Sequence, residues 1–257
     1  MSNGTYNPYA NNAPLTIFAT GVRNAYDLVW HSSGWLYIPT NGTAGNNSTS
    51  PNSPSTDDYP LARRIDGLTS IPDVPALNGG ETQKDWLFKT QGVSYHGHPN
   101  PYRGEFVLNH GGLPYNGVTG QTGTDTDVGK YTDNLGPDPN YREPAYDFAF
   151  NKSPNGVIEY KSDAFDGKLQ GLLFVVRFSG QDDLLGLDPK LDGDIQDAYN
   201  NIPGLSGFDD PLDVVEDPLT GNLYVSEYDR SGGGTPRLTL LRAAIPASTG
   251  PKIVATP

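Results

Sequence analysis

Two stretches of this chain read as the same β-hairpin, and that repeat limits its fold more than any single motif does. The first, residues 20–42, runs Thr20-Gly-Val-Arg-Asn-Ala-Tyr-Asp-Leu-Val-Trp-His-Ser-Ser-Gly-Trp-Leu-Tyr-Ile-Pro-Thr-Asn-Gly42; the second runs Asp213-Val-Val-Glu-Asp-Pro-Leu-Thr-Gly-Asn-Leu-Tyr-Val225. In each, an Asp opens a short apolar run, a tight turn closes on Gly34 or Gly221, and a second strand begins Leu-Tyr-Ile or Leu-Tyr-Val. Asp27 and Asp213 lie 186 positions apart, about four units at the roughly 40 to 50 residues of a propeller blade. The expectation is a radial array of small antiparallel sheets.

Composition agrees. Thirty-one Gly and 23 Pro in 257 residues are too many for long helices and natural for short strands joined by loops. The 15 Tyr and 9 Phe supply large burial per residue, so a core is within reach at only 35% hydrophobic content. One domain is expected, because all-β domains of roughly 200 to 250 residues are common.

Strands are expected over 15–19, 26–31, 35–39, 86–90, 105–109, 156–160, 172–177, 184–188, 211–216, 222–228 and 237–242, each short, β-branched or aromatic, and bounded by turn residues. The one helix candidate of any length is 194–200, which lacks a periodic apolar face. Residues 43–59 and 111–141 read as long surface loops of the kind that carry function on a rigid scaffold. Eleven strands fill about three four-stranded blades, fewer than the four or more of a closed ring. The chain is therefore expected to be part of a ring, or to complete one by association.

Several function classes fall away. A formal charge of −13 with no Lys/Arg cluster argues against nucleic acid. No apolar run approaches the roughly 20 residues of a membrane span, and the polar first dozen residues carry no signal peptide, so a secretion signal would lie outside this sequence. The absence of cysteine excludes disulfides and thiolate metal sites. Neither a Gly-x-Ser-x-Gly elbow nor a phosphate-cradling Gly-x-x-x-x-Gly-Lys occurs. The acidic groups at Asp125, Asp127 and at Asp188, Asp192, Asp194, Asp197 lack the spacing of an EF-hand loop and read as solvated loops.

Three places could carry chemistry. Residues 91–109 concentrate Tyr95, His96, His98 and Arg103 among Gly and Pro, which either holds an imidazole in one orientation or is a turn with solvated histidines. Arg23-Asn24 sets a cation and an amide at a strand entrance, where a guanidinium fork can pair with a carboxylate, in a ligand or in a structural salt bridge. Arg177 ends the apolar run Leu172-Leu-Phe-Val-Val176, as a pocket residue or as a rim charge.

Taken together, Thr20-Gly-Val-Arg-Asn-Ala-Tyr-Asp, Tyr95-His-Gly-His-Pro-Asn-Pro-Tyr-Arg-Gly-Glu-Phe-Val-Leu-Asn, Ser153-Pro-Asn-Gly-Val-Ile-Glu-Tyr-Lys161 and Leu173-Phe-Val-Val-Arg-Phe-Ser-Gly-Gln-Asp-Asp183 resemble the glucose/sorbosone dehydrogenase family, most closely its quinone-dependent pyranose dehydrogenase branch. The resemblance runs in order over most of residues 15–228. It implies an all-β propeller, with this chain supplying about three to four blades of a six-bladed ring and corresponding to its C-terminal portion. It also implies pyrroloquinoline quinone (PQQ) and calcium as cofactors and oxidation of a sugar by hydride transfer to the quinone.

Carried over by position, the resemblance makes Arg23, Asn24, His98 and Arg177 cofactor contacts, the carbonyls of Gly42 and Thr43 calcium ligands, and His98 the candidate catalytic residue. Two departures stand beside it. Asp209-Asp210-Pro211-Leu212 occupies the place of a basic pair, and the family's catalytic His comes from the N-terminal half of the ring, which has no counterpart here. His96 or His98 could replace that base only within hydrogen-bond reach of the sugar C1 hydroxyl. The resemblance further implies an extracellular or periplasmic setting. The competing expectation is a non-catalytic extracellular propeller module that binds glycan or protein or builds an assembly.

Overall fold

The computed structural model describes residues 14–47, 80–98, 114–115, 123–124, 138–230 and 232–242. Their strands, numbered along the chain, are β1 (Asn24–Ala25), β2 (Val29–Trp30), β3 (Leu36–Asn41), β4 (Ala44–Asn47), β5 (Gly80–Thr82), β6 (Asp85–Thr90), β7 (Pro114–Tyr115), β8 (Gly123–Thr124) and β9 (Tyr146–Ala149). They continue with β10 (Pro154–Glu159), β11 (Leu173–Arg177), β12 (Asp183–Pro189), β13 (Ile195–Tyr199), β14 (Pro211–Asp217), β15 (Asn222–Glu227) and β16 (Arg237–Leu241). Every pairing between them is antiparallel.

The strands form three meandering sheets, the blades of a β-propeller. Blade 1 joins β2, β3, β6 and β9, with β1 extending along β3; blade 2 is β10 to β13; blade 3 is β14 to β16. The repeated hairpin supplies β2–β3 of the first blade and β14–β15 of the third, so the repeat marks blades, but its copies stand two described blades apart and not the four units expected, because long insertions separate β3, β6 and β9 within blade 1. The expected loops 43–59 and 111–141 lie largely outside the described residues, and their described parts include the small ladders β4–β5 and β7–β8.

The helix expected over 194–200 is instead strand β13. Gly193 takes a positive φ in the turn before it, Lys190 N–H donates to the Asp194 carbonyl at 2.8 Å, and Ala198 and Tyr199 then pair with Leu187 and Gly186. This edge strand is exposed over most of its length, which is why it carries no apolar rhythm. Residues 15–19 form no strand, and the strand expected over 26–31 contracts to Val29–Trp30. The strand expected over 105–109 lies outside the described residues.

Adjacent blades lock through a recurring set of contacts. Between blades 1 and 2, the buried Glu159 carboxylate accepts from Ser32 N–H at 2.9 Å and from its hydroxyl, and Tyr37 donates its OH to the Gly193 carbonyl at 2.9 Å. Between blades 2 and 3, Glu216 accepts from the N–H groups of Lys161 and Ser162, both at 2.7 Å, and Tyr160 donates to the Gly221 carbonyl at 2.9 Å. Gly156 lets the innermost strands meet: a Cβ there would overlap the Asp213 carboxylate and stand 2.7 Å from its Cα.

Apolar layers fill the seams. Tyr37, Leu87, Phe148, Leu173, Val175 and Leu185 pack between blades 1 and 2, and Tyr160, Phe174, Val176, Leu184, Val214 and Val225 between blades 2 and 3. A third, smaller cluster of Leu36, Ile38, Trp86 and Phe88 sits on the far face of blade 1. No helix among the described residues is long and apolar enough to cross a membrane.

Candidate functional site

The far face of blade 1 carries a small cleft lined by Arg23, Thr40, Gly42, Trp86, His96 and His98, with Asn41, Gln83 and Phe88 beside them. Two backbone ladders assemble it. β1 pairs Asn24 with Asn41 and so lays the strand entrance against the exit of β3. Residues 94–98 run along 20–21: Thr20 N–H donates to the Ser94 carbonyl, His96 N–H to the Thr20 carbonyl, and His98 N–H to the Gly21 carbonyl at 2.9 Å. Arg23, Gly42 and His98, far apart in sequence, thereby share one cleft.

The two histidines have different roles. His96 is buried; its Nδ1 lies 3.3 Å from the Arg142 carbonyl and its Nε2 3.1 Å from Ser94 Oγ, while the ring packs 4.6 Å from Phe88. A carbonyl only accepts, so Nδ1 carries the proton and Nε2 accepts from Ser94. His96 is satisfied as a structural residue. His98 Nδ1, in contrast, is buried with no hydrogen-bond partner. Such an atom costs free energy until a ligand or water meets it.

Burial pushes both imidazoles down to about 4, reinforced at His98 by the charge of Arg23 and at His96 by that of Arg142, partly offset there by the bond to the Arg142 carbonyl. Both rings are therefore neutral at physiological pH.

Arg23 is exposed and donates Nη1 to the Gly42 carbonyl at 2.9 Å. The Thr43 carbonyl accepts from Gln83 N–H at 2.9 Å, and Gly42 N–H donates to Asp85 Oδ1 at 2.8 Å. Asp85 is buried, and its other oxygen accepts from the N–H groups of Lys152 and Ser153, tying blade 1 to the entrance of blade 2. A side chain at position 42 would collide with the carbonyls of Gln83 and Lys84, so the close approach requires glycine.

These contacts decide how well the expected cofactors suit the site. A divalent ion on the Gly42 carbonyl would stand beside the Arg23 guanidinium, and like charges a few ångströms apart repel strongly outside bulk water. No group of three or more His, Asp or Glu suited to a metal occurs among the described residues. The Gly42 carbonyl, occupied by Arg23, is thus ill-suited to calcium as it stands, while the Thr43 carbonyl accepts from Gln83 N–H. Arg23 does fit one carboxylate arm of an anionic ligand, and His98 Nδ1 beside it is left to meet a further polar group. The space between them, about 10 Å³, admits about one water-sized group, so a ring system would lie above it.

Asn24 and Arg177 do not line the cleft. Asn24 is exposed on β1. Arg177 is buried in blade 2, where its fork meets Asp183 at 2.8 and 2.6 Å and its Nη2 also reaches Asn200 Oδ1 at 2.9 Å. Sequence reasoning missed Thr40, Trp86 and Asp85. Trp86 and Asp85 open an ordinary strand, and only the pairing of β3 with β6 brings them to the site.

No family model and no curated protein sequence matches the chain. Two solved structures, each a glucose dehydrogenase, share its fold: one at 15% identity and TM-score 0.53, the other at 15% and 0.50. Each match covers 93% of this chain and 50% of the other. The chain thus spans about half the length of the structures it matches. At this identity the likeness establishes the propeller fold.

Proposed function

We propose that this chain forms part of a quinone-dependent sugar dehydrogenase of the propeller type, acting on pyranoses or other aldoses outside the cytoplasm. The observation that carries the reading is the buried, unpartnered Nδ1 of His98 beside the exposed guanidinium of Arg23. PQQ, when bound, would supply the two-electron hydride acceptor. Arg23 would hold one of its carboxylates, and Asn24, at the same strand entrance, would read a polar edge of it. Arg177 enters the proposal only as the residue that braces blade 2.

His98 would take the proton of the sugar C1 hydroxyl as hydride leaves C1, which turns the hemiacetal into a lactone. An imidazole held near 4 is a weak base. A carboxylate paired to Arg23 would cancel the charge that helps depress it, so ligand binding itself would raise its basicity. Calcium at Gly42 and Thr43, part of the expectation from resemblance, finds no support in the geometry and has no place in this scheme.

A second reading, a non-catalytic glycan- or protein-binding propeller module, has the small volume of the cleft in its favour. Dye reduction by aldoses with added quinone separates the two. Turnover lost in His98→Ala supports the dehydrogenase. Quinone binding without turnover supports the module, and absence of binding defeats the quinone reading.

A further inference from the structure

A second cleft, of about 430 Å³, is lined by Trp35, Lys89, Gln91, Arg142, Glu143 and Asp194. It lies at the other end of blade 1 from Arg23 and His98. Leu36, where β3 begins, pairs with Thr90 of this cleft, and Asn41, where β3 ends, pairs with Asn24 beside the first one. Roughly 17 Å of strand runs between them. The volume falls within the range of about 300 to 1,000 Å³ of small-molecule sites.

The walls are held in place. Trp35 donates its indole N–H to the Leu191 carbonyl at 3.1 Å, and a Cβ on Gly193 would stand 2.6 Å from its ring, so the turn between β12 and β13 packs against the indole. Lys89 Nζ grips the same turn, donating to the Asp192 carbonyl at 2.8 Å and to Asp194 Oδ1 at 2.5 Å. Thr90 Oγ1 bonds Ser94 Oγ at 2.9 Å and the Gly92 carbonyl at 2.7 Å, which fixes the turn after β6. Arg142 N–H donates to the Tyr95 carbonyl and Ala145 N–H to the Leu87 carbonyl, which sets residues 142–145 against blade 1.

Three lining groups keep free hydrogen-bonding capacity among the described residues. The partly buried Glu143 carboxylate has no hydrogen bond or ion pair, and burial and the charge of Asp194 push its carboxyl above the ordinary range. Gln91 donates Nε2 to the Gly34 carbonyl at 3.3 Å and keeps its amide oxygen. Arg142 engages Nη1 with the carbonyls of Pro139 and Tyr141 and keeps Nε and Nη2. Two acids and two bases line the space, so a cation would meet Lys89 and Arg142, and an anion Glu143 and Asp194. An uncharged polyol suits both sets. Its hydroxyls can donate to Glu143 and the Gln91 oxygen while accepting from Arg142, and its C–H faces can meet the indole edge of Trp35.

We propose that this cleft is a saccharide-binding subsite that takes one neutral pyranose unit through Glu143, Gln91, Arg142 and Trp35. Hydroxyl donors would relieve the cost of the unpartnered, partly buried Glu143 carboxylate. The inference rests on this cleft alone and holds whether or not the chain binds quinone.

Methyl glycosides of glucose, galactose and mannose have no free anomeric hydroxyl to oxidise, so they test binding apart from turnover. Titrated into the folded chain at millimolar concentration, at least one is expected to bind saturably by calorimetry and to change the tryptophan fluorescence. Glu143→Ala is expected to weaken that binding by about tenfold, the effect of losing a charge-assisted hydrogen bond. Its melting temperature should be kept or raised, because the carboxylate has no partner to lose. Gln91→Ala should weaken binding too, and Leu219→Asp, at a 94% exposed site in blade 3, should leave it unchanged. Binding of none of the three glycosides, or unchanged affinity in Glu143→Ala, overturns the proposal. Saturable binding of n-butylamine with none of the glycosides would assign the cleft to a cation and overturn it as well.

Discussion

The guanidinium of Arg23 donates to the carbonyl oxygen of Gly42 at 2.9 Å, putting a fixed positive charge where a bound divalent ion was expected. Calcium at millimolar concentration should therefore leave the melting temperature of the chain unchanged. Arg23→Ala should destabilise it by no more than about 1 kcal/mol, since the bond is exposed. A rise in melting temperature with calcium, abolished by chelator, would restore the metal site.

Stability should depend on pH through His96. Its folded pKa, about 4, lies below the ordinary 6.5, so between those values the unfolded chain binds more protons. The contribution is complete above about pH 6.5 and is lost as pH falls toward 4, by up to roughly 3 kcal/mol. Urea unfolding from pH 4 to 7 checks this. His96→Gln should lower stability at pH 7 and reduce the slope across that window, leaving the part that His98 contributes.

Blade stacking should depend on Glu159. Its removal leaves Ser32 N–H without its acceptor at the seam, and Glu159→Ala should cost about 2 to 4 kcal/mol by denaturant unfolding. Leu191→Ala, at a 93% exposed site, should change stability by less than about 0.5 kcal/mol.

Gly156→Ala should be worse tolerated than its small size suggests. The added methyl group overlaps Asp213 at the meeting of two innermost strands, so a loss of about 2 kcal/mol or more is expected, with reduced cooperativity. Gly232→Ala tests a different effect: nothing lies near its Cβ position, and only its positive φ of 70° opposes the change.

The hairpin repeat was legible because a blade must bury its first two strands in a fixed alternation, and Leu36-Tyr-Ile and Leu223-Tyr-Val keep it. β13 was not legible: an edge strand with Gln196 and Asp197 outward carries no apolar period. Arg23 and His98 could be named from sequence, but their shared cleft depends on residues 94–98 lying along Thr20 and Gly21, a contact across more than seventy positions. The pairing of Arg177 with Asp183 was hidden for a related reason. Two charges six residues apart become partners only when β11 and β12 fold back in register.

The most direct test of the Arg23–His98 reading is calorimetric titration of the folded chain with PQQ in the presence of chelator. Saturable binding without calcium is expected, weakened at least tenfold in Arg23→Ala and measurably in His98→Ala, while Leu191→Asp binds as the parent chain does. Absence of binding at saturating quinone, or equal affinity in Arg23→Ala, would contradict it.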